Sequence, residues 1–179
     1  MQENAKLVRF EETVLPHLGA AYNLARWLVR NDHDAEDVVQ ESYLRALRFF
    51  DGYHGGDSRS WLLTIVRNTC FSWLQRNHKQ GDTTLFDEEI HSDTSGGSEV
   101  ELRLLQQADI ELLKRSLEEL PDEFREVIVL RELEGLSYKE IADVSNIPLG
   151  TVMSRLARAR KQLYQSLSRR AGREVNCGL

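Results

Sequence analysis

Thr151, Ser154, Arg155, Arg158 and Lys161 share one side of a segment whose other side carries Val152, Leu156, Ala159, Leu163 and Leu167. Hydroxyls and guanidiniums opposite an apolar back can reach base edges and phosphates in a DNA groove. A second set, Ser60, Thr64, Arg67, Asn68, Ser72 and Gln75, also recurs at helical spacing, flanked by Trp61, Phe71 and Trp73. Polar side chains beside aromatics suit unstacked bases, which want ring contact and hydrogen bonds to their edges. A tryptophan at such spacing is, however, more often a core residue than a base platform. A third set, Asp37, Gln40 and Glu41, makes an acidic face that Arg45 and Arg48 continue. Taken alone it reads as a solvated charged surface.

The elements that must carry these sets are helices. Leu15, Leu18, Tyr22, Ala25, Leu28 and Val29 predict a first helix with an apolar face. A second opens near Asp34, with Val39, Tyr43, Ala46, Leu47 and Phe50 facing inward, and residues 51–58 form a loop. A third runs from about Arg59 to Arg76. Leu102, Leu105, Leu112, Leu113, Leu117 and Leu120 mark a fourth, and Pro121-Asp122 restarts the chain into a fifth, closed by Gly135. Ser137-Tyr138-Lys139-Glu140 is a capping box that opens a short sixth helix, with Ile141 and Ala142 inward. A tight Ser145-Asn146-Ile147-Pro148 turn, with Ile147 as its apolar plug, leads into a long basic helix from about Leu149. Short capped helix, turn and basic helix in that order predict a helix-turn-helix.

No alternation with period two is present, so the fold class is all-α. Gly, Ser and acids cluster over 81–98. This predicts two small helical domains, 1–80 and 99–179, joined by an acidic flexible linker. The net charge of −6 hides a segregation. Residues 81–110 hold eight acids against Arg103 alone, whereas 150–179 hold seven basic residues against Glu174 alone. A basic terminal helix can hold phosphates, and an acidic middle avoids DNA.

Other chemistries find little support. Cys70 and Cys177 lie far apart, the five histidines are scattered without an HExxH, and no P-loop is present. No metal, no cofactor and no catalytic residue is expected, and the chain reads as not an enzyme. No apolar run is long enough to cross a bilayer. Met1-Gln2-Glu3-Asn4 does not resemble the start of a secretory leader, so the expected location is the cytoplasm.

Residues 34–47 (DAEDVVQESYLRAL), 60–76 (SWLLTIVRNTCFSWLQR), 120–143 (LPDEFREVIVLRELEGLSYKEIAD) and 147–163 (IPLGTVMSRLARARKQL) together resemble one family. It is the bacterial RNA polymerase sigma factors of the extracytoplasmic-function (ECF) group of the sigma-70 family. The resemblance implies an alternative sigma factor that binds core RNA polymerase and directs promoter-specific transcription initiation. The N-terminal domain looks like sigma region 2. There Asp37, Gln40 and Glu41 fall in the motif that docks on the β′ clamp helices. His54, Ser58, Trp61, Arg67 and Asn68 occupy positions that melt and read the −10 element. The C-terminal domain looks like region 4, which rests on the β flap. Thr151, Ser154, Arg155 and Arg158 would enter the −35 major groove. An anti-sigma factor is a further implied partner. This chain departs from many relatives at Met153, where they carry a basic residue, and at Ala157, where some carry a larger one.

Two other classes compete. An autonomous helix-turn-helix transcription regulator would use only the C-terminal half, and would give a footprint without polymerase. A metal or thiol enzyme or redox sensor would use Cys70, although a cysteine among apolar helical neighbours is more often an inert buried thiol.

Overall fold

The computed structural model describes residues 2–80 and 97–176. Among these residues every regular element is helical. The linker expected over 81–98 lies outside the described residues, except that its last two positions begin a helix.

Four helices form the N-terminal bundle: α1 (Gln2–Val14), α2 (Leu18–Val29), α3 (Asp32–Phe49) and α4 (Ser58–Gln80). Pro16 sits in the single tight turn between α1 and α2, where it cannot supply an amide for continued helix. Arg30 adopts a left-handed conformation (φ 64°) that ends α2, and the Asn31 side chain then accepts a hydrogen bond from the Asp34 amide to start α3. This cap lies three residues before the start suggested by the acids alone. Gly55 and Gly56 turn the following loop at φ 97° and 102°, where a side chain would strain the backbone.

The core of this bundle is Val14, Ala21, Leu24, Ala25, Leu28, Val38, Leu62, Leu63 and Val66, all essentially buried. The apolar repeat that begins at Leu15 and Leu18 does not start in the core. Both residues are about half exposed, and Val14 and Leu24 take the inward positions instead. The helix phase resets at Pro16, so a periodicity counted straight through the turn places its first two residues wrongly. Helix α1 itself packs through Phe10, whose ring meets Phe50 edge-on at 5.3 Å and Tyr43 at 6.3 Å.

The C-terminal bundle contains α5 (Gly97–Glu118), α6 (Asp122–Ile128), α7 (Tyr138–Ser145) and α8 (Leu149–Asn176). Helix α6 loosens into one wider π-type turn, Val129–Leu133, before Gly135 reverses the chain at φ 69°. The core here is Leu117, Leu120, Val127, Val129, Leu130, Ile141, Val144, Val152, Leu156 and Ala159. The two bundles pack on each other, α4 against α7 and α2 against α6.

Candidate functional site: two nucleic-acid surfaces and a polymerase surface

The start and end of α7 and the start of α8 are fixed by local chemistry. The Ser137 side chain accepts from the Glu140 amide at 3.2 Å, and the Glu140 carboxylate accepts from the Ser137 amide at 2.6 Å. At the other end Asn146 stops α7 in the left-handed conformation (φ 52°), and Pro148 accepts the first amide bonds of α8. Ile141 is buried and Ala142 and Ile147 are half-buried against the core, as the sequence pattern requires.

The Ser137 hydrogen bonds hold the Glu140 carboxyl below its ordinary value of 4.5. Its folded pKa is depressed, so the cap's contribution is present above the ordinary value and fades as pH falls through the folded one. Ser137→Ala should therefore cost about 1 kcal/mol near neutral pH. The gap from the parent protein should narrow in denaturant titrations below pH 4. An equal gap at both pH values would show that the charge takes no part.

Along α8, Val152, Leu156 and Ala159 are buried, whereas Ser154, Arg158 and Lys161 are exposed and Thr151 is half-buried. Arg155 is different. It is mostly covered and reaches across to Glu123 at 3.1 Å, so it ties α8 to α6. Arg160 likewise bonds Glu132 at 2.7 Å. The Ser154 hydroxyl donates to the Thr151 carbonyl at 3.0 Å.

Helix α4 starts at Asp57, whose carboxylate accepts from the Arg59 and Ser60 amides. The Ser60 hydrogen bonds hold that carboxyl below its ordinary value. In the preceding loop His54 is exposed, and the Ser58 hydroxyl is engaged with His17 Nε2 at 2.9 Å. Trp61 is half-buried in an aromatic cluster, its ring tilted against Tyr53 at 4.9 Å and Phe50 at 6.3 Å between centres. Trp73 also packs against the core. The tryptophans thus serve first as structure. Thr64 is turned onto its own helix, donating to the Ser60 carbonyl.

Arg67 is drawn into the junction between the bundles, whereas Asn68 stays exposed beside it. Arg67 Nε donates to Glu126 Oε1 at 2.7 Å, its Nη1 donates to Asn68 Oδ1 at 3.2 Å, and its guanidinium lies 4.4 Å from the Phe71 ring centre. Glu126 is fully buried and also accepts from the Ser145 hydroxyl at 2.7 Å. Three further contacts cross the junction. Glu134 accepts from Arg59 at 2.6 Å and from Asn23 at 2.5 Å, and Arg30 meets Asp122 at 3.2 Å. Sequence reasoning missed Glu126 and Glu134, because an acid on a helix gives no sign of what lies opposite.

On α3, Asp37 and Gln40 are exposed and Leu44, beside them, is 61% exposed. Glu41 is half-covered and paired with Arg45 and, at 3.6 Å, with Arg76. Leu44 is one of several exposed apolar residues of this bundle, with Leu15, Leu18 and Phe49, so its exposure alone does not mark a contact surface.

Cys70 is fully buried on α4, and burial pushes its thiol up to about 12. A thiolate is the reactive form. In a Cys177→Ser chain, a disulfide reagent at pH 8 should label Cys70 on the order of a thousandfold more slowly in the folded than in the denatured protein. Fast labelling of the folded protein would restore the redox-sensor reading. Cys177 lies outside the described residues, among which no His, Cys, Asp and Glu are grouped to hold a metal ion.

Residues 13–80 match the family model for sigma-70 region 2, and residues 110–163 match that for sigma-70 region 4. The ECF RNA polymerase sigma-E factor of Salmonella typhimurium is 37% identical, over 73% of this chain and 72% of its own length. The chain belongs to the ECF sigma factors. The ECF RNA polymerase sigma factor SigE of Mycolicibacterium smegmatis is 32% identical over 93% of this sigma factor, which spans 65% of that relative's length. Two solved structures share the architecture. The sigma factor RpoE of Bartonella quintana, in complex with the anti-sigma factor NepR, superimposes with a TM-score of 0.71 at 29% identity, covering 89% of this chain and 97% of that one. CnrH, in complex with the cytosolic domain of CnrY, gives 0.60 at 26% identity, covering 89% and 87%. The first bundle is therefore region 2, and the helix-turn-helix belongs to region 4.

Proposed function

We propose that this sigma factor binds core RNA polymerase and directs it to promoters by reading a −35 duplex and opening −10 DNA. The observation that carries this is the pairing, on one chain, of a capped helix-turn-helix with an exposed basic face and a region 2 bundle with the polar side of α4. Asp37, Gln40 and Glu41, with Leu44, form the surface for the polymerase β′ clamp helices, and region 4 meets the β flap. Thr151, Ser154 and Arg158 face the −35 groove, and Arg155 holds α8 in place through Glu123. His54, Ser58, Trp61, Arg67 and Asn68 line the −10 surface.

Melting draws on binding free energy, because a flipped base held by the protein offsets lost stacking. The protein acts by binding and not as an enzyme, and its place of action is the cytoplasm. Among the described residues no helix is long and apolar enough to cross a membrane. An anti-sigma factor is a further partner, by analogy with RpoE in its complex with NepR.

The test is transcription from a genomic promoter pool by purified core polymerase, with and without the full chain. New starts sharing one −35/−10 pair are expected. Asp37→Arg should abolish them by blocking core binding, and Asn68→Ala should weaken opening while leaving −35 contact intact. Absence of new starts, together with duplex binding that needs no polymerase, would replace this reading with an autonomous regulator.

A further inference from the structure

The exposed face of α8 is less polar than its composition suggests. Arg155 and Arg160 are committed to Glu123 and Glu132, and the Ser154 hydroxyl proton is engaged by a backbone carbonyl. Among the described residues no ion pair engages Arg158. Beside the Ser154–Arg158 ridge runs a second one, Leu149, Met153 and Ala157, at steps of four. Leu149 is 45% exposed, Met153 49%, and Ala157 is also exposed, although Val152 and Leu156 next to them are buried. A free methionine and leucine at the leading end of this helix are not needed by the core.

We propose that Met153, flanked by Leu149 and Ala157, reads thymine methyl groups in the −35 major groove. The proposal rests on α8 being the −35 helix. The thymine C5-methyl is the apolar group that the four bases present in that groove. A methionine is long and adaptable enough to lie against it. Facing a G·C pair instead, the same side chain would cover hydrogen-bonding groups without satisfying them, which disfavours that sequence. The charge around the ridge fits the same occupant. Exposed Arg158 and Lys161 adjoin it, and among the described residues no ion pair engages either. The −35 element would then carry a thymine at the one or two positions under Met153, with Arg158 reading a neighbouring guanine or a phosphate.

The experiment uses holoenzyme assembled from core polymerase and the full chain. A −35 duplex is first selected from a random library, and each thymine is then replaced by deoxyuridine, which pairs identically but lacks the methyl group. Burial of one methyl predicts binding about fourfold weaker at the contacted positions. In Met153→Ala the thymine and deoxyuridine duplexes should bind alike. Three results would overturn the proposal. The first is indistinguishable binding of thymine and deoxyuridine at every −35 position while binding stays sequence-specific, which leaves the sigma reading intact. The second is a Met153→Ala loss that is equal for both duplexes, or is already present in core binding without DNA. The third is absence of any −35 preference in a holoenzyme that also yields no promoter starts, which removes the sigma reading as well.

Discussion

Replacing Arg67 with alanine should open the molecule. The change removes the cation from a carboxylate that is fully buried at the junction of regions 2 and 4. Leaving a buried charge without its partner costs about 3–5 kcal/mol. Ser145 still donates to Glu126, but one neutral hydroxyl does not replace a guanidinium. The chain has a cheaper response than global unfolding, because parting the two regions lets water reach Glu126. Small-angle scattering should therefore show a radius of gyration above the value of about 16 Å for a compact chain of this length. The double change Arg67→Met with Glu126→Leu should stay closed, since an apolar pair of similar volume often matches a buried ion pair. An unchanged radius and melting profile for Arg67→Ala would mean that the ion pair does not hold the junction.

Leu156→Ala should strike region 4 alone. Leu156 is buried on the inner side of α8, which packs chiefly on α6. Truncating a buried leucine costs about 2–5 kcal/mol, the larger values applying where neighbours cannot collapse into the space. In a protein of this size that is a fall in melting temperature of roughly 5–20 °C. Calorimetry should show the loss in the transition that also abolishes −35 binding, with core polymerase binding through region 2 retained. A small uniform shift with −35 binding intact would show that α6 and α8 repack around the gap.

Where the determinants are local, the sequence was sufficient. Ser137 and Glu140 are three residues apart and fix the start of α7. Asn146 and Pro148 fix the turn, and the buried series from Val152 to Ala159 fixes the face of α8. Local signals misled where the chain changes direction, as at Pro16, where the apolar repeat ran on into two surface leucines. Helix α1 gave little signal because Leu7 and Val8 are exposed, and among its described residues only Phe10 and Val14 are buried. Candidate residues were legible as types but not as states. Nothing around Arg67 or Arg155 shows that each meets an acid 59 or 32 positions away. Those partners depend on how two bundles, or two helices, come together, and no short-range pattern encodes that.

The closed junction has a consequence for assembly. Elements named for positions −35 and −10 lie about 25 base pairs apart, on the order of 85 Å along the duplex. A compact chain of this length is only about 40 Å across. The arrangement that joins Arg67 to Glu126 and Arg59 to Glu134 therefore cannot lie on both elements at once. Only the extended fraction of molecules is competent, and every apparent affinity for promoter is weakened by that fraction. On the proposed function, core polymerase would raise that fraction by binding the two regions apart. Promoter selectivity is then latent in the free subunit and expressed in the holoenzyme, so the tightness of one interdomain seam sets how silent the unbound protein stays.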